Sequence, residues 1–118
     1  MTNNELQNIR NLMNDAKHEM LGVPMATIDT HGAVSEAVAR ALAEGAVARS
    51  RADIAVSITG VAGPGGGSAD KPVGLVHFAT ARRGQATSAH RRVFGGDRDT
   101  IRLAAVAFAL SLIAERLD

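Results

Sequence analysis

Ser57-Ile58-Thr59-Gly60-Val61-Ala62-Gly63-Pro64-Gly65-Gly66-Gly67-Ser68 is the stretch on which the fold turns. An apolar run leads into it, and a second apolar run leaves through Lys71-Pro72-Val73-Gly74. Five of the residues from Gly60 to Asp70 are glycine, and two candidate core strands bracket them closely. Glycine admits positive φ and leaves room for a group to approach the backbone amides. Successive amides turned inward make a concave site for an anion or a carbonyl oxygen. A long mobile loop is the competing reading of the same composition.

The known nucleotide loops do not fit. A phosphate-binding P-loop places lysine and then Ser/Thr directly after its second glycine. Counted from Gly60, that glycine is Gly65, and Gly66-Gly67 follow it. A dinucleotide fingerprint starting at Gly63-Pro64-Gly65 requires glycine at position 68, where Ser68 stands. Both motifs also open a helix, whereas a strand-like run follows here.

The bulk properties narrow the classes further. At 118 residues one domain is expected, with enough buried surface for a single core. The net charge of +1 gives no electrostatic case for nucleic acid or an anionic membrane. The absence of cysteine excludes a disulfide scaffold, a cysteine nucleophile and thiolate metal sites, and no metal or cofactor is expected. Three phenylalanines are the whole aromatic content, too few for a base-stacking platform. The most apolar run, Leu103 to Ala114, is too short to span a bilayer. Without a recognisable secretory leader the expected compartment is the cytoplasm.

Taken in order, Thr2 to Leu21 reads as a helix, with Leu6, Ile9, Leu12, Met13 and Met20 near helical spacing. Gly22 and Pro24 stop it, and Lys17 and His18 fall in its last turn, where the macrodipole favours cations. After a connector, Ser35 caps a second helix running to about Ser50. Its expected inner face is Val34, Val38, Ala41, Leu42 and Gly45; Glu36, Arg40 and Glu44 line the outer one, and Val47 falls on that charged side.

Asp53 to Thr59 alternates as a strand, with small residues on one face that would let a helix come close. Val73 to Ala81 is apolar on both faces, as in a central strand, and His77 inside it reads as a hydrogen-bonded core histidine. Arg82-Arg83-Gly84-Gln85 reads as a hairpin turn. Ala86 to Phe94 returns as a strand whose His90, Arg91 and Arg92 place it at an edge or half exposed. Gly95-Gly96-Asp97 then caps a final helix from Arg98 to Leu117, apolar almost all round and therefore buried or at an interface. Arg98 and Arg102 stand one turn apart at its start, where they oppose the macrodipole unless an anion offsets them.

The order α-α-β-β-β-α, with the loop between the first two strands, indicates a layered α/β/α domain with few strands for its helices. At this point three blocks resemble a known family: His31-Gly32-Ala33-Val34-Ser35; Ile58 to Gly67 with Lys71-Pro72-Val73-Gly74; and Gly96-Asp97-Arg98 with Ile101-Arg102. They are similar to the C-terminal domain of the competence/damage-inducible protein CinA, whose members include stand-alone nicotinamide mononucleotide deamidases. The resemblance covers residues 14–118, and residues 1–13 look like unrelated sequence.

What the resemblance implies is metal-free hydrolysis of the nicotinamide carboxamide to nicotinate mononucleotide and ammonia. A serine attacks the amide carbon, a lysine helps move its proton, and backbone amides hold the tetrahedral oxyanion. The family's serine lies in a Ser-Cys-Thr-Gly-Gly motif, which this sequence does not contain. A Tyr-Ser-Asn-x-x-Lys segment follows it in the family. Asn14-Asp15-Ala16-Lys17 matches its second half, while Leu12 and Met13 occupy the Tyr and Ser positions. By this correspondence Lys17 is the catalytic lysine, Thr59, Gly60 and Gly63 belong to the substrate loop, and Arg98 and Arg102 lie near the substrate.

The expectation is an N-terminally truncated, incomplete domain of the family that is inactive or weakly active alone. Two other readings stay open. One is a non-catalytic module that binds a pyridine nucleotide or another anion. The other is a self-associating fragment that pairs through an exposed sheet edge and its last helix; a homo-oligomer is expected on the resemblance too.

Overall fold

A computed structural model describes residues 32–117. The helix expected over Thr2 to Leu21, with Lys17 in it, lies outside the described residues. Beyond it the elements follow the expected order: α1 (Glu36–Ala48), β1 (Ile54–Gly60), β2 (Leu75–Arg82), β3 (Ser88–Val93) and α2 (Arg98–Leu117). The three strands form one antiparallel sheet in the order β1-β2-β3.

β2 is central because its side chains are apolar on both faces, and each face is covered by one helix. Val76 and Phe78 pack against Ile101, Ala105, Ala109 and Leu112 of α2, with Val56, Phe94 and Phe108 around them. Phe78 is fully buried and meets Phe108 edge-on at 4.8 Å between ring centres. On the opposite face Ala79 and Ala81 pack against Ala39, Ala43 and Val47 of α1. The residues there are small, so α1 comes close. The Ser57 hydroxyl donates to the Ala39 carbonyl at 2.6 Å.

The packing corrects the expected face of α1. Val38, Ala39, Leu42, Ala43 and Val47 are its buried residues, so Val47 belongs to the core. The face is turned towards the small side, because an alanine-lined sheet accepts the helix along Ala39 and Ala43. Nor is the outer row of charges simply solvated. Arg40 pairs with Glu36 at 3.1 Å and also donates to the Thr87 carbonyl at 2.9 Å, tying α1 to the start of β3.

Arginines close the far end of the sandwich. The last turn of α1 carries no basic residue of its own. Arg83, from the β2–β3 turn, supplies one, donating to the carbonyls of Val47 (2.8 Å), Ser50 (3.2 Å) and Ala52 (2.8 Å). A guanidinium is suited to this, since its donors are fixed in a fork and the helix end presents unpaired carbonyls. On the other face Arg116 donates to the Ser88 hydroxyl and the Ala86 carbonyl, and Arg82 donates to the Arg116 carbonyl. The hairpin turn therefore holds the C-terminal ends of both helices.

At its other end α2 is capped as expected: the Asp97 carboxylate accepts from the Thr100 amide at 2.8 Å. That hydrogen bond holds the carboxyl below its ordinary pKa. No helix among the described residues is long and apolar enough to cross a membrane.

Truncating Phe78 to alanine removes a fully buried ring that meets both Phe94 and Phe108 beneath α2. Phe78→Ala is expected to cost about 3–5 kcal/mol in urea denaturation.

Candidate functional site

The loop end of the sheet is built by close approach of β1 and β2. The ladder continues past β1: the Val61 amide donates to the Leu75 carbonyl at 2.9 Å, and the Gly74 amide to the Val61 carbonyl at 2.7 Å. Further out, Ser68 and Lys71 close a turn, with the Ser68 amide bonded to the Lys71 carbonyl (2.9 Å) and the Lys71 amide to the Ser68 hydroxyl (3.1 Å). The loop is thus pinned at its base and along its returning arm, which a featureless linker would not be.

Gly60 and Gly63 are among the glycines that the loop's geometry requires. A side-chain carbon at Gly60 would stand 2.8 Å from the Leu75 carbonyl oxygen. Gly63 has a φ of 78°, and a side-chain carbon there would meet Val73 Cγ1 at 2.6 Å.

Thr59 is buried at the end of β1, and its hydroxyl donates to the Ala33 carbonyl at 2.7 Å. It therefore fixes the segment leading into α1. Ser35 fixes the same segment, donating to the Gly32 carbonyl at 2.9 Å and accepting from the Val38 amide at 3.3 Å.

Strand register brings residues together that the sequence keeps apart. Thr59 stands opposite His77, and His77 opposite Arg91. These three form a polar row across the sheet beneath the N-terminus of α1. Lys71 joins them from the loop: its Nζ lies 2.7 Å from where a side-chain carbon on residue 32 would be. His77 is only half-buried, which corrects the expectation of a core histidine. Burial lowers its pKa below the usual 6.5, and the Arg91 and Lys71 charges act in the same direction while Glu36 opposes them.

Arg98 and Arg102 are both exposed at the start of α2, at the same end of the sheet but on its other face. Arg102 lines a shallow open groove with Asp99, Leu103 and Val106. The structure thus gathers Thr59, Gly60 and Gly63 around one loop base and sets the two arginines beyond the sheet, with Thr59 directed away from them. His77, Arg91 and Lys71 were not expected as site residues. Lys71-Pro72-Val73-Gly74 carried a signal for Lys71, whereas the row of His77 and Arg91 depends on register across strands distant in sequence.

A three-layer α/β/α sandwich with a glycine loop pinned at the end of its sheet defines the class of domain. The family model described as CinA C-terminal domain matches residues 11–117, and the chain belongs to that family. It is 52% identical over 101 residues to the nicotinamide-nucleotide amidohydrolase PncC of Escherichia coli K12, covering 85% of this chain and 61% of that protein. It is 53% identical over 100 residues to a CinA-like protein of Anaeromyxobacter dehalogenans, covering 85% of this chain and 24% of the relative. The crystal structure of the competence/damage inducible protein CihA from Agrobacterium tumefaciens superposes with a TM-score of 0.86 at 51% identity, over 89% of this chain and 64% of that one. The chain therefore spans less than two thirds of each of these proteins.

Two outcomes follow from the site's geometry. Gly63→Ala places a side chain at positive φ against Val73 and is expected to destabilise the domain by more than about 1 kcal/mol in urea denaturation. The lowered pKa of His77 means that the unfolded chain binds this proton more readily than the folded one. Its contribution is fully present above pH 6.5 and is lost as pH falls below that value. Thermal midpoints measured down a pH series should fall over this range, and His77→Gln should flatten the fall.

Proposed function

We propose that this chain is the substrate-cradling part of a nicotinamide-nucleotide amidohydrolase of the CinA family and that it binds a pyridine mononucleotide. The observation that carries this reading is 52% identity to the Escherichia coli enzyme over 101 residues, a stretch that includes a loop pinned by its own hydrogen bonds. In the proposed reaction a serine hydroxyl adds to the carboxamide carbon, the C–N bond breaks to release ammonia, and water hydrolyses the resulting acyl-serine. The loop amides around Gly60 and Gly63 are proposed to face the oxyanion, where fixed donors lower the barrier most. Thr59 holds that loop base against the start of α1. Arg98 is proposed to meet the phosphate, Arg102 to support it, and Lys17 to carry the proton.

The 118 residues contain no Ser-Cys-Thr-Gly-Gly stretch. Without the attacking hydroxyl a coupled catalytic set loses many orders of magnitude in rate, while binding and oxyanion stabilisation persist. This polypeptide alone is therefore proposed to bind without appreciable turnover. That makes a non-catalytic binding module the second reading, favoured by the same missing motif. We place the protein in the cytoplasm, where mononucleotides are available, and expect it to self-associate.

Incubation of homogeneous protein with nicotinamide mononucleotide should release no ammonia above background, while the mononucleotide raises the thermal midpoint. Arg98→Ala should reduce that rise. Turnover that Lys17→Ala abolishes would contradict the proposed inactivity, and no thermal shift with either the substrate or nicotinate mononucleotide would contradict the binding.

A further inference from the structure

Two polar side chains on the α1 face of the sheet take no part in holding the fold. His77 and Arg91 stand opposite each other in the β2–β3 register, which sets their Cβ atoms about 4.5–5.5 Å apart. Among the described residues, neither the Arg91 guanidinium nor the His77 ring makes a hydrogen bond or an ion pair. The other arginines of this hairpin are engaged. Arg92 lies over the Phe108 ring at 4.7 Å on the opposite face, and Arg82 and Arg83 donate to backbone carbonyls. Arg91 is exposed and His77 half-buried, so their donors line a place that solvent reaches.

The surroundings are positive. Lys71 Nζ lies 2.7 Å from where a side-chain carbon on residue 32 would stand, beside the segment that Thr59 ties to β1. Besides the burial that desolvates it, the His77 ring feels Arg91, Glu36 and Lys71, in that order. Glu36 is the one carboxylate of the three. It pairs with Arg40 at 3.1 Å, and Arg40 is itself fixed to the Thr87 carbonyl. The acid is therefore drawn along α1 towards the hairpin end, which leaves two cations around the ring.

We propose that Arg91, His77 and Lys71 bind a phosphate monoester on the α1 face of the sheet, at a site separate from Arg98 and Arg102 on the α2 face. A guanidinium offers parallel donors to two oxygens, the His77 N–H suits a third, and the ammonium adds a point charge at the rim. A phosphate monoester near neutral pH carries a charge of about −1.5 to −2. That matches two permanent cations better than the single charge of a carboxylate. Bound there, the anion bridges β2, β3 and the returning arm of the glycine loop.

Inorganic phosphate is the probe, with sodium chloride at equal ionic strength as the control. Followed by the NMR signals of its ring, His77 should titrate about one pH unit higher in phosphate, because a neighbouring anion favours the charged ring. Amide shifts should appear at residues 71, 77 and 91. Arg91→Gln should abolish the response with an unchanged circular dichroism spectrum, and Arg91→Lys should restore part of it. Arg98→Ala should leave it intact. A response matched by chloride, one that survives Arg91→Gln, or one lost in Arg98→Ala would each overturn the proposal. Nicotinamide mononucleotide separates the two sources of phosphate: its thermal rise should be the same in Arg91→Gln as in the wild type. If Arg91→Gln removed that rise, the phosphate met here would be the mononucleotide's own, and the second site would fall. The phosphate arm uses no mononucleotide, so it decides this site even where the amidohydrolase reading fails.

Discussion

The structure depends on β2 being apolar on both faces. A strand buried in that way must sit inside a sheet and be covered twice, so its neighbours and both helices follow from it. The two coverings differ in kind. On one side Phe78 and its aromatic neighbours fill the space beneath α2, whereas on the other Ala79 and Ala81 leave room for α1 to approach until Ser57 bonds the helix backbone.

The two ends of the sheet also differ in their chemistry. The turn end of the sheet is closed by arginines: Arg83 gathers the carbonyls at the end of α1, and Arg116 and Arg82 tie the end of α2 to the same hairpin. The opposite end is left to the glycine loop, the start of both helices and the row Thr59, His77 and Arg91. Placing the rigid closure at one end leaves the other shaped by backbone amides and a few polar side chains. An anionic ligand fits such an end better than the carbonyl-rich one.

Much of the fold was legible in the sequence because its signals are local. Alternation at Ile54, Val56 and Ile58 reveals β1; Asp97 followed by an apolar helix reveals the start of α2; Gly84 after two arginines reveals the hairpin. What was not legible depended on partners far along the chain. Val47 looks misplaced on a helical wheel until the alanines of β2 turn the helix towards it. Arg40 and Arg83 look like solvated charges until the carbonyls they serve are brought near. For the site, Thr59, Gly60 and Gly63 could be named from the loop, but no spacing rule links Thr59, His77 and Arg91, which meet only through strand register.

The central proposal is that the loop end of the sheet holds a pyridine nucleotide, and that the 118 residues, which contain no Ser-Cys-Thr-Gly-Gly stretch, bind it without turning it over. Amide chemical shifts of labelled protein, followed as nicotinamide mononucleotide is added, test this most directly. The account predicts saturable shifts concentrated at residues 60–67, 32–35 and 98–102, with the resonances of unchanged mononucleotide persisting in the same sample. Shifts confined to the turn end of the sheet, or conversion of the ligand to nicotinate mononucleotide during the titration, would contradict it.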